Sequence, residues 1–552
     1  SREECGMERK TFFTVQGKPF YSLGIQTHNS SSSTPEYLQY SWNAAKKIEA
    51  NTVAVPVSWE LFEPREGAFR EAFVTDIISQ ARENNLKLIL LWFGTWKNGT
   101  MEYTPSWVKK DTERFPRAEL QDGRKTHNLS PHCPENLEAD RKAFCRLLEV
   151  VKRFDQEFNT VIGVQIENEA GMHSATRRDF SKFGDKAFKE NVPERLITYC
   201  KENPSCYLAK EWLRQGEKSN GNWTEVFGAA GGEWVTTWAV AAYIDEIARA
   251  GKEIYDIFLY TNAWLNEGRG LAGVDWPSGT PRQNNLDIYY AVCTHLDNIA
   301  PDIYLQEVTG YLDVLKTYSH PEKGFPLYVP ESSRSVFNSG MMFEGIGDYG
   351  SIGYHIFGGE SLLTDDQKEL NTEEGISMKH SFHMIRNVVP VLPEYTGTDR
   401  IHGIHRRGIE PSALIEGLLG GWRAYVSFEG TMDQFYRMDF LHKEACWEET
   451  LGNKGEPCRG LLLQESENVF YVVGHKFRIY FLQEEEADGS LSAVTVSGKN
   501  FSTNAEYLSV TEGHFDETGR YFPDVVRTGD ETRHGTYAQW DSNVLRIELM
   551  KI

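Results

Sequence analysis

The sequence has 552 residues, a length that allows about two to four domains. Lys and Arg number 58 against 80 Asp and Glu, and the net charge of −22 excludes a phosphate-tracking nucleic-acid binder with a basic footprint. A charged fraction of 25% excludes general disorder, and the most apolar stretch, Leu86–Gly94, is far shorter than the ~20 residues of a membrane helix.

Ser1–Lys10 has no apolar run of the signal-peptide kind. Eight cysteines (5, 133, 145, 200, 206, 293, 446 and 458) are scattered without a C-x-x-C pair, so no zinc ribbon or thioredoxin-type site is indicated. Their spacing does not read as a disulfide framework, and a reducing cytoplasm is the expectation. Export after removal of a leader stays open, with Cys200/Cys206 and Cys446/Cys458 as pairs for that case.

A short hairpin opens at Thr11–Val15 and turns through Gln16–Pro19. Strand signals follow at Phe20–Gln26, Thr52–Val57, Lys87–Phe93, Thr160–Ile166, Asp256–Asn262, Ile299–Leu305, Phe325–Pro330 and Gly350–Phe357. Helical periods lie between them at Pro35–Ala50, Arg70–Asn84, Asn136–Phe158, Trp234–Ala250, Pro281–Asn298, Tyr311–Ser319 and Gly375–Val389. The interval Val336–Gly347 shows no clear period. Near-continuous apolar strands alternating with helices predict a parallel sheet covered outside. Eight units close most simply as a (β/α)8 barrel, here residues 1–393, with its site at the strand C-terminal ends. A doubly wound open sheet is the runner-up, but no Gly-rich phosphate turn follows the first strand. Residues 170–232 form a long polar insertion on the expected active-site face. Residues 394–552 carry alternating runs such as Asn468–Val473 and Lys476–Gln483 and read as a β-sandwich domain.

Two strand ends hold the chemistry. Thr160–Gly171 (TVIGVQIENEAG) runs an apolar strand into Glu167-Asn168-Glu169, and Phe325–Arg334 (FPLYVPESSR) runs another into Glu331. A barrel that joins the fourth and seventh strand ends can hold Glu169 and Glu331 across one bond, the pairing that glycosidic cleavage requires. A helix cap or an ion pair is the plain alternative for either residue. With 30 Phe, 25 Tyr and 14 Trp, the composition suits stacking on sugar faces, although a large core absorbs such rings too.

Gln165–Gly171 (QIENEAG) resembles the acid/base signature of glycoside hydrolase family 35, the β-galactosidases. Ser58–Phe69 (SWELFEPREGAF) resembles that family's Trp-x-x-x-His-Glu-Pro-x-x-Gly-x-Phe segment, with Phe62 at the His position, and both echo the related family 42. LLWFGTWKNG, PSWVKKDTERFPRA and APDIYL are similar to the branch with a distinctive C-terminal β-domain. The resemblance implies a retaining mechanism, with Glu169 as acid/base, Glu331 as nucleophile and Asn168 on the sugar 2-hydroxyl. The usual Ala-Glu-Trp after the third strand is replaced by Phe93–Asn98 (FGTWKN), and the usual Tyr region after the first strand reads Gln26–Asn29 (QTHN).

His28, Asn29, Lys97 and Asn98 are therefore candidates for the missing sugar contacts, with Trp96 beside them in the pocket floor and Trp264 as a stacking platform. Each is otherwise a loop or core residue. The Tyr304 hydroxyl is placed to touch the nucleophile. The expected function is an exo-acting retaining β-glycosidase, foremost a β-galactosidase on oligosaccharides or glycosides. The alternatives are the same chemistry on a β-glucoside, β-mannoside or arabinopyranoside, or a non-hydrolytic carbohydrate-binding barrel. No metal or organic cofactor is expected, because two carboxylates suffice. No nucleic acid or membrane partner is expected, and a homo-oligomer is left open.

Overall fold

The structure, a computed structural model, describes residues 8–265, 270–371, 373–428, 455–485, 493–496, 499–502, 505–532 and 535–552. Eight parallel strands follow in chain order: β1 (Ser22–Gln26), β2 (Thr52–Ser58), β3 (Lys87–Lys97), β4 (Val161–Asn168), β5 (Phe258–Trp264), β6 (Asn298–Ile303), β7 (Glu331–Ser332) and β8 (Gly353–Phe357). β8 pairs back onto β1, with Gly353 opposite Ser22 and Phe357 opposite Gln26. The seventh strand is thinner than its sequence suggests. Its regular ladder covers only Glu331 and Ser332, opposite Asp302 and Ile303. Pro326 and Pro330 lack the donors a ladder needs. The barrel closes there through the Val329 N–H to Gly353 O (3.2 Å) and the His355 N–H to Val329 O (2.8 Å).

Helices α1 (Pro35–Ile48), α2 (Glu71–Glu83), α3 (Pro134–Asp155), α4 (Gly231–Ile254), α5 (Leu286–Val292), α6 (Val308–Thr317), α7 (Val336–Gly347) and α8 (Glu374–Val388) cover the outside. α7 is the interval without a clear period. Every residue from Asn338 to Gly347 is buried, so no polar face marks the helix in the sequence. Its second cover is the C-terminal region. Inside the barrel, Ala54, Ile89, Leu91, Ile162, Phe258, Tyr260, Ala300 and Tyr328 pack as one cluster, and Phe13 from the N-terminal hairpin joins it. The alternate side chains of the same strands pack against the helices.

The segment 170–232 departs from its polar reading. It carries helices Lys182–Lys189, Glu194–Glu202, Tyr207–Arg214 and Trp223–Phe227 around a core of Leu196, Trp212, Trp223, Phe227 and Trp234, closed by Ile288 of α5. The motif Ser58–Phe69 is locked by Glu63, whose carboxylate accepts from Trp59 Nε1 (2.8 Å) and the Gly67 N–H (2.8 Å).

Past the barrel lie two antiparallel sheets. One has the order Ile401–His405, Arg459–Ser466, Val469–His475, Val544–Met550, Glu506–Phe515, Tyr521–Arg527. The other runs Ser412–Ile415, Trp422–Phe428, Phe477–Glu485, Lys499–Ser502, Ala493–Val496, with Thr536–Ala538 also on Phe477–Glu485. Trp422, Val426, Phe470, Phe481 and Leu545 fill the space between them, as in a β-sandwich. Among the described residues no helix is long and apolar enough to cross a membrane. Cys200 and Cys206 are free thiols, and Cys446 lies outside the described residues.

A buried polar knot joins the sandwich to α8. Fully buried Arg459 donates to Ser381 Oγ (2.8 Å), the Ser377 carbonyl (2.8 Å) and Glu456 (3.0 Å). His380 bonds Glu456 at 2.7 Å and stacks on Trp540 at 4.0 Å. Burial would raise the Glu456 carboxyl, but His380, His475 and Arg459 hold it far below the usual range. Burial pushes His475 down to about 4. The two His and Glu456 have ligand atoms within 4.8 Å of one another, yet Arg459 already occupies Glu456 with a positive charge.

Arg459→Ala strands a buried carboxylate, and we expect a loss of about 3–5 kcal/mol in chemical denaturation. A loss within about 0.5 kcal/mol would refute the interface role. The wild-type chain should also lose stability as pH falls from 6.5 toward 4, because unfolded His475 takes up a proton that the folded ring refuses.

Candidate active site

The strand ends are shaped by a mismatch between β3 and β4. Their register jumps from Trp92 opposite Ile166 to Lys97 opposite Asn168, so Phe93–Trp96 bulge past Glu167. Glu167 (φ 61°) and Glu169 (φ 47°) both take left-handed backbone, a strain of about 1–3 kcal/mol each. A carboxyl pair holds the bulge. Asp140 of α3 accepts from Trp92 Nε1 (2.7 Å), the Thr95 N–H (3.3 Å) and the Tyr243 hydroxyl (2.8 Å). Glu167 accepts from the Trp96 N–H at 2.9 Å. Burial and then Asp140 push its carboxyl far up, so it stays neutral. Gly94 is required here, since a Cβ would lie 2.4 Å from Trp92 Nε1 and 2.8 Å from Asp140 Oδ1.

The bulge delivers Glu169 to a cluster of three buried carboxyls, with Asp302 from β6 and Glu331 from β7. One oxygen from each lies within 4.8 Å of the others. Asn262, near the end of β5, ties them together. Its Oδ1 accepts from the Glu169 N–H (3.0 Å), and its Nδ2 donates to Asp302 (2.7 Å) and Glu331 (3.4 Å). The Tyr304 hydroxyl donates to Glu331 Oε1 at 2.5 Å. Burial first, and Glu331 second, raise the Glu169 carboxyl to about 7, against the opposing pull of Asp302 and Lys97. Burial, then Glu331 and Glu169, push Asp302 well above the carboxylate range. Asp302 therefore keeps its proton near neutral pH. The oxygens are close enough to hold a hard cation, but Tyr304, Asn262 and that proton already satisfy much of their demand.

A cavity of about 540 Å³ opens onto this cluster. Asn29, Lys97, Asn98, Trp264 and Tyr304 line it, as the sequence suggests, together with Leu265 and Phe357. Lys97 Nζ bonds Asn98 Oδ1 (3.0 Å) and lies 4.9 Å above the Phe93 ring. Trp264 meets the His173 ring at 4.8 Å. Asn168 is fully buried, and neither atom of its amide has a partner.

Asn168 is not part of the cavity lining, and two further candidates sit elsewhere. Trp96 is wholly buried with its ring 4.7 Å from Tyr243 of α4, because neighbours on a strand face opposite sides and Lys97 takes the inner one. His28 bonds Ser361 Oγ (2.7 Å) and stands edge-on to Phe357 (5.5 Å), outside the cavity lining. Asp302 and Asn262 were not singled out from the sequence. A lone acid inside the apolar run Ile299–Leu305 is the signal that would have found Asp302.

Residues 29–227 match the family described as Beta-galactosidase, glycoside hydrolase family 42. That is the relative of family 35 named above, and family 35 itself is not the matching profile. Residues 378–539 match the family described as Domain of unknown function (DUF5597). No curated protein sequence matches. Among solved structures, the catalytic domain of a β-amylase from Paenibacillus polymyxa is 12% identical, with 65% of this chain and 97% of that chain covered and a TM-score of 0.47. A catalytic mutant of a GH42 β-galactosidase from G. stearothermophilus is 15% identical (71% and 60% covered, TM-score 0.49). An exo-β-1,4-mannosidase from Opitutaceae bacterium strain TAV5 is 12% identical (70% and 63% covered, TM-score 0.40). The chain spans less than two thirds of the length of the latter two. Likeness at this level says nothing about substrate.

The cluster makes one electrostatic prediction. Glu331→Gln removes the neighbouring charge and should lower the Glu169 midpoint from about 7, while burial keeps it above 4.5. Carboxyl carbon shifts in a glutamate-labelled chain measure this directly. An unmoved midpoint would show that the two carboxyls are not coupled.

Proposed function

We propose that the chain is a β-glycoside hydrolase in which Glu169 and Glu331 cleave a terminal β-linked sugar by double displacement with retention. The observation that carries this is the approach of their carboxyl oxygens to within 4.8 Å, with Glu169 raised to about 7. Retaining pairs stand ~5–5.5 Å apart, whereas an inverting water needs ~6.5–9.5 Å. Glu331, oriented by Tyr304 and Asn262, attacks the anomeric carbon. Glu169 gives its proton to the departing glycosidic oxygen. Ester formation removes the Glu331 charge, which lowers the Glu169 carboxyl and turns it into a base for water. Water then releases the sugar from Glu331, and its proton restores Glu169. Asp302, kept neutral, holds the cluster to two charges at most.

The cavity volume of about 540 Å³ suits a terminal sugar and supports exo action. Asn168 is assigned to the sugar 2-hydroxyl by the family resemblance; its side-chain amide is buried without a partner and lies outside the cavity lining. Galactose is the first choice, read by Asn29, Lys97 and Asn98 with Trp264 and Phe357 as apolar walls. A different β-linked sugar is the second reading, favoured by Lys97 and Asn98 standing where the family 35 glutamate is usual. Aryl β-glycosides of galactose, glucose, mannose and arabinopyranose decide between them. No turnover of any would reject hydrolysis by this site.

Glu331→Ala should abolish turnover of every substrate. Glu169→Ala should spare aryl glycosides with good leaving groups and regain rate with azide. Full activity of Glu169→Ala on a poor leaving group would overturn its role. NMR of the first-formed anomer tests retention. In the wild type, kcat/KM should fall above about pH 7, as Glu169 loses the proton it must donate.

A further inference from the structure

A second, larger concavity of about 870 Å³ lies on the same face of the barrel. One wall is the tip of the hairpin Arg117–Glu119/Lys125–Leu129, with Gln121 and Arg124. The other is the segment after β4, with Thr176–Arg178 and Phe180. Both walls therefore follow β3 and β4, the strands that carry Lys97 and lead into Glu169. One stretch of chain runs from the site to the groove: His173, which meets the Trp264 ring, lies two residues before Ala175 of the groove and donates its N–H to Gly99 O (2.9 Å).

The walls are fixed to each other. Buried Asp179 accepts from the Glu119 N–H (2.9 Å), Ser130 Oγ (2.6 Å) and the Ser181 N–H (2.7 Å). Two of the three arginines in the groove are already paired, Arg124 with Asp122 (2.7 Å) and Arg178 with Asp185 (2.8 Å). Arg178 also lies over Phe180 and Phe188, at 3.8 and 4.2 Å. Arg177 differs. Its carbonyl is held by Thr236 Oγ1 (2.8 Å) and Ser278 Oγ (2.6 Å), while its exposed guanidinium meets no acid among the described residues.

An unneutralised guanidinium in a preformed groove is unexpected on a chain of net charge −22, whose field repels anions elsewhere. Its planar fork fits an oxyanion with two hydrogen bonds. We propose that this groove binds an acidic sugar in the leaving-group part of the substrate, with Arg177 holding its carboxylate or sulfate. The leaving-group assignment rests on the reading of Glu169 as proton donor, because what is built outward from β4 faces the oxygen that Glu169 protonates. The substrate class is then a glycan with a neutral terminal sugar and an acidic unit behind it.

Calorimetric titration of the whole chain tests this with three probes of equal length: tetragalacturonate, a sulfated galactotetraose and neutral galactotetraose. At least one acidic probe should bind about tenfold tighter than the neutral one or better, with an advantage that shrinks as salt rises. The stronger of the two acidic probes identifies the oxyanion. Arg177→Ala should erase the advantage, Arg177→Lys should keep part of it, and both should hydrolyse a nitrophenyl glycoside at the wild-type rate. Equal affinity for all three probes, or a preference that survives in Arg177→Ala, overturns the proposal. An Arg177-dependent preference in a chain that cleaves no aryl glycoside would uphold the groove and reject the catalytic reading instead.

Discussion

Three buried carboxyl groups, with one oxygen of each within 4.8 Å of the others, set the terms for the mouth of this barrel. Like charges so close, away from water, cannot all ionise, so the protein must ration protons among them. It does so by position. Glu331 receives the Tyr304 hydroxyl and a longer bond from Asn262. Asp302 is left with one accepted bond and an oxygen without a partner. Glu169 falls between, opposed by Glu331 and helped by Lys97. One cluster thus holds Asp302 and Glu169 at different proton affinities beside Glu331.

That division depends on Asn262, whose amide touches residues delivered by β4, β6 and β7. It depends equally on the bulge that turns Glu169 inward. The bulge is held from behind by the pair Glu167 and Asp140, which uses the same physics for a structural end. Burial keeps a proton on Glu167, and the pair then satisfies the loose amides of Thr95 and Trp96. The left-handed backbone at Glu167 and Glu169 is the strain that this arrangement sustains.

Behind the barrel, the β-sandwich changes what the barrel helices look like. α7 and α8 are covered on two sides, and Arg459, Glu456 and His380 meet between them and the sheet. A buried ion knot of this kind gives orientation more than net stability, since each charge is costly without its partner. It also links the seventh and eighth barrel units, which lie next to Glu331, to the C-terminal sheets.

Alternation of apolar strands with amphipathic helices was enough to specify the (β/α)8 order, because a strand buried on both faces and a half-buried helix leave different periods. It was also enough to put Glu169 and Glu331 at strand ends, since Glu331 follows an apolar run directly and Glu169 follows one after Glu167 and Asn168. The periods failed where burial was complete, as in α7, and where proline removed ladder donors, as before β7. They also missed the apolar core of the 170–232 insertion, whose short helices are closed by Ile288 from a distant segment. At the site, the sequence could not separate Lys97, which lines the cavity, from Trp96, which enters the core, because that depends on the register of the bulge. Nor could it reveal Asp302 and Asn262, or that Arg177 meets no acid among the described residues. Those properties belong to distances between strands and loops far apart in the chain, and proton affinity and charge pairing are fixed by such distances.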